Sequence, residues 1–209
     1  EGSGSGEIGS AFEMHCESHG DPHITTFSGY KYDIMGVGVF PFAHLPSFRA
    51  QTFHCPATSG FLGASTQVGV AMKADSDDVL EIVGKVVRIN GIKLPDGIST
   101  FGPFRVESND GLVDVYTRSG VHFKSALEST GHVPTGYYQD LDLHAPLQNI
   151  TDTTRFNATM CTADCGSDHA VISPDGLYTV TGDDRLFGVA TIDSLVSLCA
   201  TTSSSSIAR

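Results

Sequence analysis

Residues 79–94 read VLEIVGKVVRINGIKL, and this stretch decides the class of fold. Apolar residues alternate with polar ones in the short runs Val79–Val83 and Lys85–Ile89. An alternation with a period of two is typical of a strand that buries one face. Asn90-Gly91 follows the second run, and both residues tolerate the positive φ of a tight turn. The stretch therefore predicts short strands joined by hairpins.

The same rhythm of short runs and turns extends along most of the chain. Turn signals such as Asn109-Asp110-Gly111 and Ser119-Gly120 separate runs at spacings of roughly 8–12 residues. This spacing favours a sandwich or barrel over alternating strands and helices. We predict a mostly β fold: an antiparallel β-sandwich or barrel of many short strands, stapled by disulfides, with at most short helical segments. The other predicted strands lie within Tyr30–Phe53, Gln67–Ala74, Ile92–Leu94, Phe104–Glu107, Leu112–Thr117, Val121–Lys124 and Tyr137–Leu143.

Composition divides the chain into three parts. Residues 1–11 are a Gly/Ser-rich linker, residues 12–200 form the domain, and residues 201–209 are a Ser/Thr-rich tail or linker. Near the end of the domain, Ile192–Cys199 predicts either a short helix capped by Asp193 or a last strand. Because the chain begins without a methionine, we expect a processed protein or a piece of a larger one.

The charge balance excludes several kinds of partner. Twelve Lys and Arg residues against 24 Asp and Glu residues give a formal net charge of −12. This charge repels nucleic acid and acidic membrane surfaces and favours cations. Because no apolar run approaches the roughly 20 residues of a membrane-spanning helix, we also expect no membrane insertion in this segment.

The cysteines and two sequons indicate an extracellular protein. Bonds between widely spaced cysteines close long loops, as in secreted proteins, and an odd number leaves one for a partner elsewhere. Asn149-Ile150-Thr151 and Asn157-Ala158-Thr159 make Asn149 and Asn157 candidate glycosylation sites. We therefore expect secretion, the cell surface or a matrix as the location. The five cysteines are Cys16, Cys55, Cys161, Cys165 and Cys199.

A motif near the start of the domain resembles a known family. Gly20-Asp21-Pro22-His23, followed by Thr26-Phe27, Gly29 and Tyr32, resembles the opening of the von Willebrand factor type D domain. The likeness extends from about Cys16 to Cys199 and includes a cysteine- and acid-rich loop. It implies an extracellular, largely β, disulfide-bonded domain.

The resemblance also implies a cofactor. The family holds calcium through oxygen ligands, and the matching candidates here are Asp21, Asp164 and Asp168, with Ser167 and loop carbonyls as additions. The loop is shorter than in the family and lacks its asparagines. The alternative is that these acids are solvated turn residues.

The disulfide framework implied by the family fits this chain only in part. The resemblance implies that Cys16 joins Cys161 or Cys165, and that the other of that pair joins Cys55 or Cys199. The family also commonly has a cysteine where this chain has Gly36-Val37-Gly38. One family disulfide must therefore be missing or rewired.

Asp21-Pro22 is a chemically labile peptide bond. The Asp21 carboxyl group can attack its own peptide carbonyl, since the tertiary amide of proline is a good leaving group once protonated. His23 is placed in sequence to assist, so self-cleavage at this bond is one hypothesis, with Asp21, Pro22 and His23 as its residues. The alternative is that Asp21 caps a turn or binds a cation.

Three histidines recur at intervals of four residues. His15, His19 and His23, with Cys16 adjacent, would form a zinc site if the segment were helical. Gly20 and Pro22 argue against a helix. We interpret the remaining histidines as ordinary surface or hydrogen-bonded residues: His44, His54, His122, His132, His144 and His169.

Three functions follow from these features. The leading hypothesis is a non-catalytic structural or adhesive module of a larger cell-surface, filament or matrix protein, with other copies or neighbouring domains as partners and glycans as a further candidate. The second is a self-processing protein, cleaved at Asp21-Pro22 and attached covalently to a partner. The third is a secreted metal-dependent hydrolase.

Overall fold

The computed structural model describes residues 13–57, 64–131, 135–147, 159–162 and 186–200 of the chain. Within these residues the chain forms strands and one helix. The strands are β1 Glu13–His19, β2 His23–Thr25, β3 Lys31–Asp33, β4 Gly38–Leu45, β5 Phe48–Pro56, β6 Ser65–Ala74, β7 Val79–Val83, β8 Val86–Ile89, β9 Ile92–Lys93, β10 Gly97–Phe101, β11 Phe104–Asn109, β12 Leu112–Thr117, β13 His122–Ser129 and β14 Tyr137–Pro146, and the helix is α1 Val189–Ala200.

The strands form two antiparallel sheets. The eight-stranded sheet has the order β10-β11-β12-β13-β14-β1-β2-β3, and the six-stranded sheet has the order β4-β5-β6-β7-β8-β9. Neighbouring strands are mostly consecutive in sequence because tight hairpins join them. The exception is the pairing of β1 with β14, which are the first and the last strands along the described chain. The predicted antiparallel, mostly β fold is confirmed.

A shared apolar core holds the two sheets face to face. Phe123 on β13 lies with its ring centroid 6.0 Å from that of Phe42 on β4 and 6.2 Å from that of Phe48 on β5. All three side chains are fully buried. Burial of each such ring stabilises the fold by about 1.5–3 kcal/mol, and the contacts across the core make the architecture a sandwich.

The six-stranded sheet is also covered on its outer face. Leu186, Phe187 and Leu195 pack with residues of β4, β5 and β6 in a second buried cluster. The Phe187 ring lies 6.3 Å from that of Phe53, edge to face. Because both faces are covered, β6 is buried at nine of its ten positions.

Hydrogen bonds to a buried carboxylate of the six-stranded sheet hold the start of α1 in position. The buried carboxylate of Glu81 on β7 accepts hydrogen bonds from the Gly188 N–H (2.9 Å) and the Thr191 hydroxyl (3.0 Å). Gly188 directly precedes α1 and Thr191 lies in its first turn, the end of a helix at which backbone N–H groups lack partners inside the helix. The prediction of Asp193 as the cap was wrong, because the helix begins four residues earlier. Of the two alternatives for this segment, the helix is the one formed.

Two disulfides cross-link distant parts of the chain. Cys16 bonds to Cys161, with 5.6 Å between their Cα atoms, and Cys55 bonds to Cys199, with 5.4 Å. The first bond is one of the two expected for Cys16. The second corrects the expectation that Cys55 or Cys199 joins the remaining cysteine of the Cys161/Cys165 pair. Cys165 lies outside the described residues.

The hairpin signals hold, but the strands β1 and β10 were not predicted. Asn90 and Gly91 have φ values of 49° and 79° and join β8 to β9. Asp110 and Gly111 play the same part between β11 and β12. No run was predicted for β10, since Gly97–Phe101 is exposed almost throughout and shows no apolar alternation.

No helix in the described residues is long and apolar enough to cross a membrane.

Candidate functional site

The outer face of the eight-stranded sheet carries a row of aromatic and basic side chains. Strand register places these residues directly opposite one another on five neighbouring strands. They share one face because side chains alternate between faces along each strand. We call this set the histidine row: Arg105, Tyr116, His122, His144 and His15.

The rings of the histidine row stack across the strands. The centroids of Tyr116 and His122 are 4.5 Å apart with nearly parallel planes, and those of His122 and His144 are 5.8 Å apart. His144 and His15 continue the stack at 4.6 Å. The Arg105 guanidinium lies 5.3 Å from the centre of the Tyr116 ring, within the range of a cation–π contact. The row is thus an ordered surface of flat side chains.

Acidic residues stand beside the histidine row, two positions along four of its five strands, and β13 has Lys124 at that position. His122 Nε2 lies 2.8 Å from Asp114 Oδ1. His15 Nε2 contacts Asp142 Oδ1, and His144 Nε2 lies 3.7 Å from the same oxygen. Imidazole rings and carboxylates therefore alternate over this face.

The Gly20-Asp21-Pro22 turn joins β1 to β2 at the edge of the same face. His19 and His23 close the hairpin as register partners, and Gly20 donates its N–H to Asp140 Oδ1 at 3.0 Å. Gly20 has a φ of 64°, a left-handed conformation that glycine adopts without steric cost. The motif that carries the family resemblance is therefore a hairpin turn beside the histidines.

His23 lies between two carboxylates at this turn. Its Nε2 is 2.8 Å from Asp21 Oδ1, and its Nδ1 is 2.7 Å from Asp33 Oδ1. The hydrogen bond that His23 donates to the Asp33 carboxylate raises the pKa of His23, and the charge of Asp21 adds to this while partial burial opposes it. Pro22 is buried, and its carbonyl accepts the Ile34 N–H at 3.1 Å. Of the three residues predicted for self-cleavage, Asp21 and His23 are therefore in direct contact.

The predicted calcium ligands are described only at Asp21. Asp164, Asp168 and Ser167 lie outside the described residues, as do the sequon residues Asn149 and Asn157. One Asp21 oxygen faces the His23 imidazole, and the carboxylate is partly exposed. Calcium takes six to eight oxygen ligands, and Asp21 is the one candidate among the described residues, so calcium binding stays a prediction.

The helical zinc hypothesis was wrong in its premise. The segment of His15 and His19 is the strand β1, and His23 lies on the next strand. A strand rises about 3.3 Å per residue, so residues four positions apart lie roughly 13 Å apart and the spacing does not gather the three imidazoles at one point. His15 instead meets Asp142 and His144 of β14.

Sequence reasoning missed the contribution of β14. Residues 138–144 read YQDLDLH, in which every second residue is polar or aromatic. That period of two was a signal that Asp140, Asp142 and His144 share one face. Their proximity to His15 depends on the pairing of β1 with β14, across more than 120 residues of sequence.

Comparison of the chain with protein-family models and with curated proteins finds no match. The likeness to the type D domain therefore rests on the motif residues themselves.

Proposed function

We propose that this chain is a non-catalytic extracellular module that serves structure or adhesion in a larger surface, filament or matrix assembly. The observation that carries the proposal is the contrast between a cross-linked scaffold and an ordered polar face. Each disulfide spans about three quarters of the domain, with sequence separations of 145 and 144 residues. Such bonds suit an oxidising compartment.

The histidine row is the surface that meets the partner. Tyrosine and arginine are enriched at the energetically important positions of protein interfaces. Here Tyr116 lies between Arg105 and His122 in a preformed stack, so little side-chain freedom remains to be lost on binding. The partner in this proposal is a second copy of the chain.

The scaffold is tested by peptide mass spectrometry without reduction. We expect Cys16–Cys161 and Cys55–Cys199 cross-linked peptides from protein secreted by eukaryotic cells. Five free thiols in that material would contradict the extracellular assignment.

The contact surface is tested by sedimentation of the disulfide-intact chain over a range of concentrations. We expect self-association that Tyr116→Ala weakens by about tenfold or more, as at interface hot spots. Tyr30→Ala is the matched control, because Tyr30 is also partly exposed but lies on the β2–β3 connection. A chain that stays monomeric, or equal association of the Tyr116 variant, contradicts the assignment of this surface.

A second candidate function is self-processing at Asp21-Pro22, which the Asp21–His23 contact favours. The Asp21 side-chain oxygen forms a bond to its own peptide carbonyl carbon while the bond to the proline nitrogen breaks. The proline nitrogen takes a proton, for which the imidazolium of His23 is the nearby donor. Water or a partner nucleophile then opens the resulting cyclic anhydride.

The disulfide makes the cleavage visible in a specific way. Cys16 precedes the labile bond and is joined to Cys161, so the two fragments stay together until reduced. After incubation at about pH 5–6, we expect cleavage that leaves a new amino terminus at Pro22 and that separates the two fragments only in reduced samples. Asp21→Ala should abolish it, and Asp33→Asn should slow it by releasing His23. An uncleaved wild-type chain after prolonged incubation contradicts this function.

A further inference from the structure

The pairing of β1 with β14 creates a cluster of nitrogen and oxygen ligands on the outer face of the eight-stranded sheet. His15 and His144 are direct register partners, and Asp142 lies two residues before His144 on β14. One ligand atom from each of these three side chains lies within 4.8 Å of the others. All three residues are half-buried, so their positions are restricted while the ligand atoms stay accessible.

The distances suit a tetrahedral metal ion after small side-chain rotations. Zinc bonds of about 2.0–2.1 Å place neighbouring ligand atoms roughly 3.3 Å apart. His144 Nε2 is 3.7 Å from Asp142 Oδ1, and His15 Nε2 is already in contact with that oxygen. To hold the ion, His144 Nε2 must approach Asp142 by a fraction of an ångström, and His15 Nε2 must move away from the oxygen that it contacts. All three ligand atoms start within 4.8 Å of one another.

The surroundings favour a cation with a preference for imidazole. Glu13 Oε1 lies 3.7 Å from His144 Nδ1, on the side of the ring away from Asp142, and is the position from which a carboxylate orients a metal-binding histidine. Glu17 Oε2 lies 3.9 Å from His15 Nε2 and adds negative charge. Calcium and magnesium prefer all-oxygen sites, whereas two imidazoles and one carboxylate suit zinc.

The geometry assigns a zinc-class divalent cation site to His15, Asp142 and His144, with Glu13 as a positioning residue for His144. Three protein ligands leave a fourth position open. The bound ion ties the N-terminal strand β1 to β14 beside the Cys16–Cys161 disulfide. Zinc binding at this site does not require self-association, so the result of its test is independent of the proposed function.

The test is titration of the disulfide-intact, tag-free chain with zinc chloride, followed by calorimetry. A Cys165→Ser background removes the remaining thiol as a competing ligand. We expect one zinc ion per chain, and at least about tenfold weaker binding in His15→Gln and in His144→Gln. Glu13→Gln should weaken binding by about tenfold, the lower range for a residue that orients a ligand. Calcium chloride should not compete.

His19→Gln is the matched control, because His19 lies on the same strand and the same face but contacts Glu17 and Asp140. It should bind zinc as the parent does. Near-ultraviolet circular dichroism in the presence of a chelator verifies that each variant is folded. In the parent chain, zinc should also shift the imidazole proton resonances of His15 and His144 more than those of His19.

Two results would overturn the assignment. One is the absence of zinc binding by the folded parent chain. The other is binding by His15→Gln and His144→Gln that equals the parent, which would place the ion elsewhere.

Discussion

The two sheets of the sandwich contain ten-residue strands with opposite characters. β6, with the sequence STQVGVAMKA, is buried at nine positions because the core covers one face and the α1 segment covers the other. β14, with the sequence YYQDLDLHAP, alternates between buried and half-exposed residues along most of its length. A strand covered on both sides has no surface to offer. The half-exposed residues of β14 instead include Asp140, Asp142 and His144, which lie on the outer face of the eight-stranded sheet.

The comparison teaches where function can reside in this fold. The six-stranded sheet uses its buried polar groups internally, as when Gln51 Oε1 accepts the Leu186 N–H at 2.9 Å. The eight-stranded sheet leaves imidazoles and carboxylates half-exposed in two neighbouring rows. The first sheet therefore stabilises the domain, and the second presents its chemistry. Each of the following predictions separates these two roles.

The largest effect is expected where the outer cover of the six-stranded sheet is removed. Phe187 is 1% exposed, so Phe187→Ala leaves a cavity against Phe53 and should lower the free energy of unfolding by about 3–5 kcal/mol. Phe101→Ala is the matched control, because Phe101 on the eight-stranded sheet is 41% exposed. Its effect should stay within about 1 kcal/mol. Equal losses in denaturant unfolding would contradict the contrast between the sheets.

Loss of the Cys55–Cys199 bond should have the next largest effect. Replacement of both cysteines by serine frees α1 from β5 and should cost about 2–4 kcal/mol. Amide hydrogen exchange should accelerate in residues 189–200 and change little in β12 and β13. Acceleration that is equal in the eight-stranded sheet would show that the helix supports both sheets alike.

Acid should weaken the six-stranded sheet through His54. Burial lowers the pKa of His54 to about 3, so the folded state keeps this imidazole neutral, beside the Thr52 hydroxyl and the Phe40 ring. The unfolded chain binds a proton near pH 6.5, and the contribution to stability is therefore complete above that pH and is lost as the pH falls towards 3. The expected slope is about 1.4 kcal/mol per pH unit.

His54→Gln isolates this effect from the exposed histidines. His23 acts in the opposite sense, since its raised pKa adds stability that is lost as the pH rises. Between pH 6.5 and pH 5, the wild type should therefore lose roughly 1–2 kcal/mol relative to the variant in denaturant unfolding. A constant difference between the two proteins over that range would contradict a buried, neutral His54.

A substitution in the histidine row should have the smallest effect on stability. His122→Gln removes one ring from the stack and its contact with Asp114, a partly exposed pair of the kind that contributes less than about 1 kcal/mol. We expect a nearly unchanged melting temperature together with weaker self-association. A melting temperature that falls as far as in Phe187→Ala would mean that the histidine row is structural.

Local features of the sequence allowed much of the fold to be predicted. Asn90-Gly91 forms the predicted turn because both residues tolerate positive φ regardless of their surroundings. In β11 and β12, buried and exposed residues alternate because one face of each strand meets the core. This period of two is visible in the sequence. β10 was missed because Gly97–Phe101 owes its strand conformation to pairing with β11 and not to a buried face.

The candidate site was predictable only in part, for the same reason. Asp21 and His23 are two residues apart, so their contact follows from a local turn. His15, Asp142 and His144 meet because β1 pairs with β14, and no pattern near His15 specifies that partner. The cap of α1 was assigned to the nearby Asp193, although the carboxylate that fills this role, Glu81, lies more than 100 residues away.

By itself, the sequence determined the β class, the hairpin turns and the exposed side of each alternating strand, because these depend on short-range backbone preferences and on burial with a period of two. Tertiary structure alone decided the pairing of Cys55 with Cys199, the double cover of the six-stranded sheet and the meeting of three ligands on β1 and β14. Those outcomes depend on which strands and which helix become neighbours, and the packing of the whole core determines this.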